Sequence, residues 1–330
     1  MSATAPKARR IAGIDIARGV ALVCMAIYHF VWDLTFFGYL EPAVATTGPM
    51  RWFARAIASS FLFLVGISLV LAHAKAIRWQ SFWRRWIAVA ACAGVISLAT
   101  WFATPQTFVY FGILHHIALA SLLGLLFLGL PWPVLVALSA SMFVIAQIAA
   151  TAIFNEGWLL WTGLNTSVRA SNDYVPLLPW FGAVLFGMAF AKSPLLDRVF
   201  HGDAAVSGLV PRSLSWMGQR SLIVYMVHQP ILIAMIYLAT LVAPPMVEEE
   251  LAFPPDPFLD ACETTCMQSG SADFCIAYCA CVDVRLQQRD LKDALIEGSL
   301  AVDDQQVVSI TQQCTADIGD ALIELREQTP

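Results

Sequence analysis

The chain reads as an all-α, polytopic membrane protein, a bundle of about seven transmembrane helices followed by a small disulfide-rich helical domain. Composition is the first observation: the 330 residues are 58% hydrophobic and only 13% charged, about half the charged share of a soluble domain. Charge distribution is the second. Residues 1–243 carry 15 Lys/Arg against 7 Asp/Glu, a balance of +8, whereas residues 244–330 carry 4 against 17, a balance of −13. Cysteine placement is the third, since six of the eight cysteines fall between Cys262 and Cys314. These boundaries give a membrane domain over 1–243, a linker over 244–258 and an acidic helical domain over 259–330.

A helix needs roughly 20 apolar residues to cross the hydrocarbon core. Residues 14–37 supply the first span. Asp15 and Arg18 interrupt it and no small-residue cleavage site follows, so it is expected to stay as a span and not to be removed as a leader. Gly48-Pro49 separates it from the second, 52–73, and a charged stretch leads into the third, 85–103. Pro105 and Pro131-Trp132-Pro133 bracket the fourth, 109–130. The fifth, 133–154, ends before Gly163, the sixth, 174–191, before Pro194, and the seventh covers 220–243. Tyr39, Trp52, Trp79, Trp132, Trp158 and Trp161 gather near span ends, where amphipathic rings suit the headgroup layer.

Lys7, Arg9 and Arg10 precede span one, Lys75, Arg78, Arg84 and Arg85 lie between spans two and three, and Lys192, Arg198, Arg212 and Arg220 between six and seven. The alternate connections hold only Arg51 and Arg169. The positive-inside rule then puts the N-terminus in the cytoplasm of a cell (inner) membrane and, after an odd number of spans, the acidic domain in the periplasm or outside.

Cys24 and Cys92 lie within spans as small apolar residues. An even set of clustered cysteines in an exported domain reads as a disulfide framework. Cys262 and Cys266 stand one helical turn apart, as do Cys275 and Cys279. Two such helices folded back as a hairpin pair Cys262 with Cys279 and Cys266 with Cys275, leaving Cys281 for Cys314. A zinc site is the other use of such a cluster, disfavoured by a tail with no histidine; no metal is expected. Pro244-Pro245, Glu248 to Glu250 and Pro254-Pro255 make the linker stiff and charged. The acidic domain suits a basic protein partner, excludes nucleic acid and disfavours anionic lipid surfaces.

Polar groups at membrane depth are costly and mark function. Span one carries Asp15, Arg18, His29 and Asp33 on one stripe, with His29 roughly 20 Å beyond Asp15 at 1.5 Å per residue. Asp15 and Arg18 are spaced to pair, either as part of a site or only to fix the helix in the interface. Span four brings in His115 and His116, which point about 100° apart, so that one of the two enters a shared site. Asn172 and Asp173 stand at the start of span six, where they either join the site or cap that helix. Span seven adds Tyr225, His228 and Gln229, with Pro230 just beyond.

Five segments together resemble the bacterial relatives of heparan-α-glucosaminide N-acetyltransferase, a branch of the transmembrane acyltransferases. They are residues 10–19 around Asp15 and Arg18, residues 60–66 ending in Gly66, residues 111–116 ending in His115-His116, residues 173–182 opening on Asp173, and residues 220–228 from Arg220 through Tyr225 to His228. The likeness covers about residues 10–243 and leaves the acidic tail outside. It implies transfer of an acetyl or other acyl group from cytosolic acyl-CoA, with acetyl-CoA as donor substrate, to a glycan or small-molecule acceptor on the far side of the bilayer. By position, Asp15, Arg18 and His228 match the family's site. The 155–173 loop departs from the animal enzyme in holding no histidine.

The residues themselves supply the rest of that reading. His29 or His116 is the expected general base, with His228 holding acceptor or thioester and Asp33, one turn beyond His29, keeping its imidazole basic. His115, Asn172, Asp173, Tyr225 and Gln229 are expected to line the acceptor's path. Arg84 and Arg212 are expected to hold the phosphates of coenzyme A beside Arg18. The alternative makes the histidines a b-type haem site or a proton relay in a transporter.

Overall fold

The computed structural model describes residues 11–73, 76–200, 208–245, 257–267 and 271–328. Lys7, Arg9, Arg10 and Lys75, used above to orient the bundle, and most of the expected linker lie outside these residues. The chain divides into two compact units, Met1–Val247 and Glu248–Pro330. Among the described residues there is no β-strand, only an isolated bridge between Phe111 and Tyr174.

The first unit contains α1 (Ala12–Phe36), α2 (Pro42–Thr46), α3 (Gly48–His73), α4 (Trp79–Ala103), α5 (Ile113–Leu126), α6 (Trp132–Ile148), α7 (Leu177–Lys192), α8 (Pro194–Phe200), α9 (Leu209–Gln219) and α10 (Ser221–Val242). It is a polytopic membrane bundle. Four described helices, α1, α3, α4 and α10, are long and apolar enough to cross a bilayer, while α5, α6 and α7 are apolar but shorter. The sequence windows overran these three because apolar residues also fill their connections. Val109 and Phe111 belong to a loop seam described below, and Ile153 and Phe154 sit in a single 3₁₀ turn over Ala152–Asn155.

The short helices are held by close crossings and interhelical hydrogen bonds. A Cβ on Gly66 would lie 2.0 Å from the Val184 carbonyl oxygen, and one on Gly187 2.0 Å from that of Phe63. Only glycine lets α3 and α7 approach so closely, which is how membrane helices gain contact without a hydrophobic driving force. Leu62, Leu135, Val184, Leu185 and Met188 are fully buried around this crossing. Trp86 Nε1 donates to the Ala118 carbonyl at 2.9 Å, and Ser139 Oγ to that of Gly182 at 2.7 Å. Lys192 Nζ donates to the carbonyls of Leu128 and Leu130 at 2.5 and 2.6 Å, placing a cation on the peptide groups that follow α5. Elsewhere large apolar side chains such as Leu98, Phe102, Ile223 and Leu238 face outward, as a lipid-covered surface requires.

The second unit comprises α11 (Pro257–Cys266), α12 (Ala272–Gln288), α13 (Lys292–Ile296) and α14 (Gln305–Gln328). Disulfides join Cys262 to Cys279, Cys266 to Cys275 and Cys281 to Cys314, with Cα separations of 5.9, 5.6 and 5.8 Å. The first two are nested because each partner helix presents sulfurs one turn apart, and the third ties α12 to α14. A small core of Val282, Leu286, Val307 and Ile310 lies beneath. Lys292 Nζ meets Asp283 Oδ1 at 2.5 Å, and Gln287 Nε2 donates to Asp283 Oδ2 at 2.9 Å, so this largely buried carboxylate is paired on both oxygens.

A core this small needs covalent help. Closing the separation of 33 residues between Cys281 and Cys314 is worth about 3–4 kcal/mol by loop entropy. Replacing both by serine in the full chain should strip hydrogen-exchange protection from α14 while α12, held by the nested pair, keeps more of its own. Unchanged protection in α14 would show that the bond contributes nothing.

Candidate functional site

The polar residues of the first unit fall into three neighbouring groups. The first lines a cavity of about 680 Å³ between α1, α3, α4, α5, α9 and α10, a size typical of small-molecule sites. Its wall includes Asp15, Arg18, Ser68, Arg78, Arg85, Arg220, Ser221 and Tyr225. Asp15 and Arg18 are paired at 2.9 Å, Arg18 also donates to the Ser68 hydroxyl, and Ser68 in turn donates to the Leu64 carbonyl. This chain fixes one guanidinium in the wall. The α1–α9 crossing beside it is tight: a Cβ on Gly19 would lie 2.2 Å from the Leu214 carbonyl oxygen, and one on Gly218 1.8 Å from that of Asp15. Four guanidinium groups against one carboxylate make the cavity strongly positive.

Neither of the expected phosphate ligands Arg84 and Arg212 lines the cavity. Arg78, Arg85 and Arg220 line it instead. Within α4 the helical phase explains it: Arg85 and Val89, one turn apart, both face the cavity, whereas Arg84 points about 100° away from Arg85.

The second group begins where the first ends. Tyr225 lines the cavity, and its ring lies 5.6 Å from that of His228, which lies 5.0 Å from that of His29. His228 Nδ1 is 2.6 Å from the Tyr225 carbonyl. A carbonyl only accepts, so Nδ1 carries the proton and Nε2 offers a lone pair. Gln229 Nε2 donates to Asp33 Oδ1 at 2.7 Å, so no hydrogen bond joins Asp33 to His29 and the expected support of that imidazole is absent. His29 Nδ1, His228 Nε2, Asp33 Oδ2 and Gln229 Oε1 are all buried with no hydrogen-bond partner.

The third group stitches loops. Asp173 Oδ2 accepts from the Ile113 backbone N–H at 2.8 Å, so this carboxylate caps α5 and not the helix that follows it. Asn172 donates to the Thr104 hydroxyl at 2.8 Å, and the Val175 N–H to the Phe111 carbonyl at 3.0 Å. His115 is satisfied within the same seam. Its Nδ1 accepts from the Gly112 N–H, and since the Ser97 hydroxyl already donates to the Val109 carbonyl, His115 Nε2 donates to Ser97 at 3.1 Å. His116 is fully buried and donates from Nδ1 to the carbonyls of Val175 and Pro176, with Nε2 unpartnered. It binds the seam and is not in ring contact with the His29–His228 pair. The structure thus brings together His29, Asp33, Tyr225, His228 and Gln229, and leaves His115 and Asn172 with loop-bracing contacts.

A family model described as heparan-alpha-glucosaminide N-acetyltransferase, catalytic, matches residues 10–230, a span that contains the whole cavity wall and both members of the histidine pair. No curated protein and no solved structure matches the chain.

Burial pushes the Asp173 carboxyl up to about 6, against the opposing pull of the Ile113 N–H. The folded state therefore holds this proton more tightly than the unfolded one. The resulting stabilisation is full below about pH 4 and is lost as pH rises through about 6. Asp173→Asn, which keeps an acceptor for Ile113, should flatten the loss of thermal stability across that window. An unaltered slope would exclude Asp173 as its source.

Proposed function

Because this chain belongs to the heparan-α-glucosaminide N-acetyltransferase catalytic family, and is thereby a membrane acetyltransferase, we propose that its arginine-lined cavity takes acetyl-CoA from the cytoplasm. The acetyl group then passes to a sugar amine or hydroxyl that reaches the His29–His228 pair from the opposite side of a bacterial inner membrane. The observation that carries this reading is the continuity between a cationic cavity and an unpartnered imidazole nitrogen, through the single residue Tyr225.

Charge supports the donor side. Arg18, Arg78, Arg85 and Arg220 supply fork-shaped donors suited to the phosphates of coenzyme A. Bound by its phosphates, the donor directs its thioester toward Tyr225 and His228. His228 Nε2 then accepts the proton of the attacking amine or hydroxyl. The new C–N or C–O bond forms at the acetyl carbonyl, the C–S bond breaks, and the proton passes from His228 to the departing thiolate. His29, in edge contact with His228, fixes the ring that does this work. His116 holds the 175–176 backbone beneath.

The remaining assignments rest on sequence. The positive-inside bias favours a cytoplasmic N-terminus, and six disulfide-bonded cysteines favour an oxidising compartment for the acidic domain. There its −13 balance suits a basic protein partner.

Titrating acetyl-CoA into the purified protein tests the donor site. Arg85→Ala should weaken binding about tenfold or more through loss of a charge-assisted contact, and Arg84→Ala, which lies off the cavity wall, by no more than about twofold. Equal effects would contradict the cavity assignment. His228→Ala should lower acetyl transfer about 10²–10⁴-fold, the usual worth of a general base, while donor binding persists. Retained transfer would remove His228 from the chemistry.

A further inference from the structure

Asp33 and Gln229 have no task in the transfer described above, although both are placed beside its centre at a depth where polar groups are costly. Asp33 is 2% exposed. One of its oxygens accepts from Gln229 Nε2 at 2.7 Å and the other has no partner. That bond also fixes the amide: the group facing a carboxylate must be the NH₂, so the unpartnered atom of Gln229 is its carbonyl oxygen, Oε1. One residue away in the chain, His228 offers the lone pair of Nε2, its proton being held at Nδ1 by the Tyr225 carbonyl. Asp33 Oδ2, Gln229 Oε1 and His228 Nε2 are thus buried, unsatisfied acceptors on two helices that meet through the Asp33–Gln229 bond and the His29–His228 ring contact, where His29 Nδ1 is unpartnered as well. Leaving each unmet is costly.

We propose that Asp33 and Gln229 are the specificity-determining pair of the acceptor site, selecting a group rich in hydrogen-bond donors and rejecting anionic acceptors. A ligand able to satisfy Asp33 Oδ2, Gln229 Oε1 and His228 Nε2 together must bring several N–H or O–H bonds to one place, as an ammonium group or neighbouring hydroxyls do. A carboxylate or phosphate would instead set lone pairs against lone pairs in a site from which water is largely excluded. Asp33 is assigned to positioning the acceptor, and His228 to taking its proton. The inference rests on the acetyltransferase reading for what the acceptor is, but not for whether it binds.

Equilibrium binding separates the two. Glucosamine, glucose and glucuronate would each be titrated into the full chain in detergent, without donor, and coenzyme A would be titrated separately. Glucosamine is expected to bind at least tenfold more tightly than glucuronate. Affinity for glucose relative to glucosamine then tells whether hydroxyls alone supply the donors. Asp33→Asn, which keeps size but turns one oxygen into a donor, should weaken glucosamine at least tenfold and leave coenzyme A binding as in the wild type. Gln229→Leu should weaken it as well and stands as the second variant if Asp33→Asn fails to fold, judged by loss of coenzyme A binding. Equal affinity for glucosamine and glucuronate, or glucosamine binding untouched by both substitutions, would overturn the proposal. Failure of coenzyme A to bind the wild type would instead overturn the donor reading, whatever the sugars do.

Discussion

Inside a bilayer a polar atom has only protein or bound ligand for company, and that constraint orders nearly everything in the first unit. Where the chain itself supplies partners, polar residues act as fastenings: Trp86 to Ala118, Ser139 to Gly182, Lys192 to the carbonyls after α5, His115 between Gly112 and Ser97. Where partners are missing, the exceptions gather between α1 and α10, at His29, Asp33, His228 and Gln229. His116 Nε2 is the other unmet atom of this unit among the described residues. A cluster of unmet groups next to a cationic cavity has an economical explanation in a ligand that completes it.

The geometry that builds this arrangement is simple. Small residues let helices cross within backbone contact, α3 with α7 at Gly66 and Gly187, α1 with α9 at Gly19 and Gly218. The second crossing sets Asp15 and Arg18 against the end of α9, just before Arg220 opens α10. Running up α10 from Arg220, Ser221 and Tyr225 face the cavity and His228 follows one turn later. The cationic cavity and the histidine pair are consequently arranged along one helix, and the Tyr225 ring lies between them. The acidic unit obeys a different constraint: with few apolar residues to bury, it is held by three disulfides and a carboxylate paired on both oxygens.

Hydropathy and charge made the bundle legible from sequence because both follow directly from the cost of polar groups in lipid. They exaggerated the lengths of α5 to α7, since apolar residues such as Val109 and Ile153 lie in loops packed against helices. Helical periodicity alone puts Asp15, Arg18, His29 and Asp33 on one stripe of α1, and Ser221, Tyr225 and His228 on one face of α10. Partner choice was not legible. Asp33 takes Gln229, 196 positions away, in preference to His29 one turn away, and Asp173 caps α5 across the loop seam. Such pairings depend on how helices are rotated about their axes, which a single sequence does not encode locally. Arg84 and Arg212 lie off the cavity wall that Arg78, Arg85 and Arg220 share, which again depends on how the packed helices are rotated.

The most direct test of the central claim is the position of coenzyme A in an experimentally determined complex. The account predicts its phosphates on Arg18, Arg78, Arg85 and Arg220, and its sulfur against Tyr225 on the side facing His228. A complex with the nucleotide bound elsewhere, or with its sulfur directed away from the histidine pair, would contradict it.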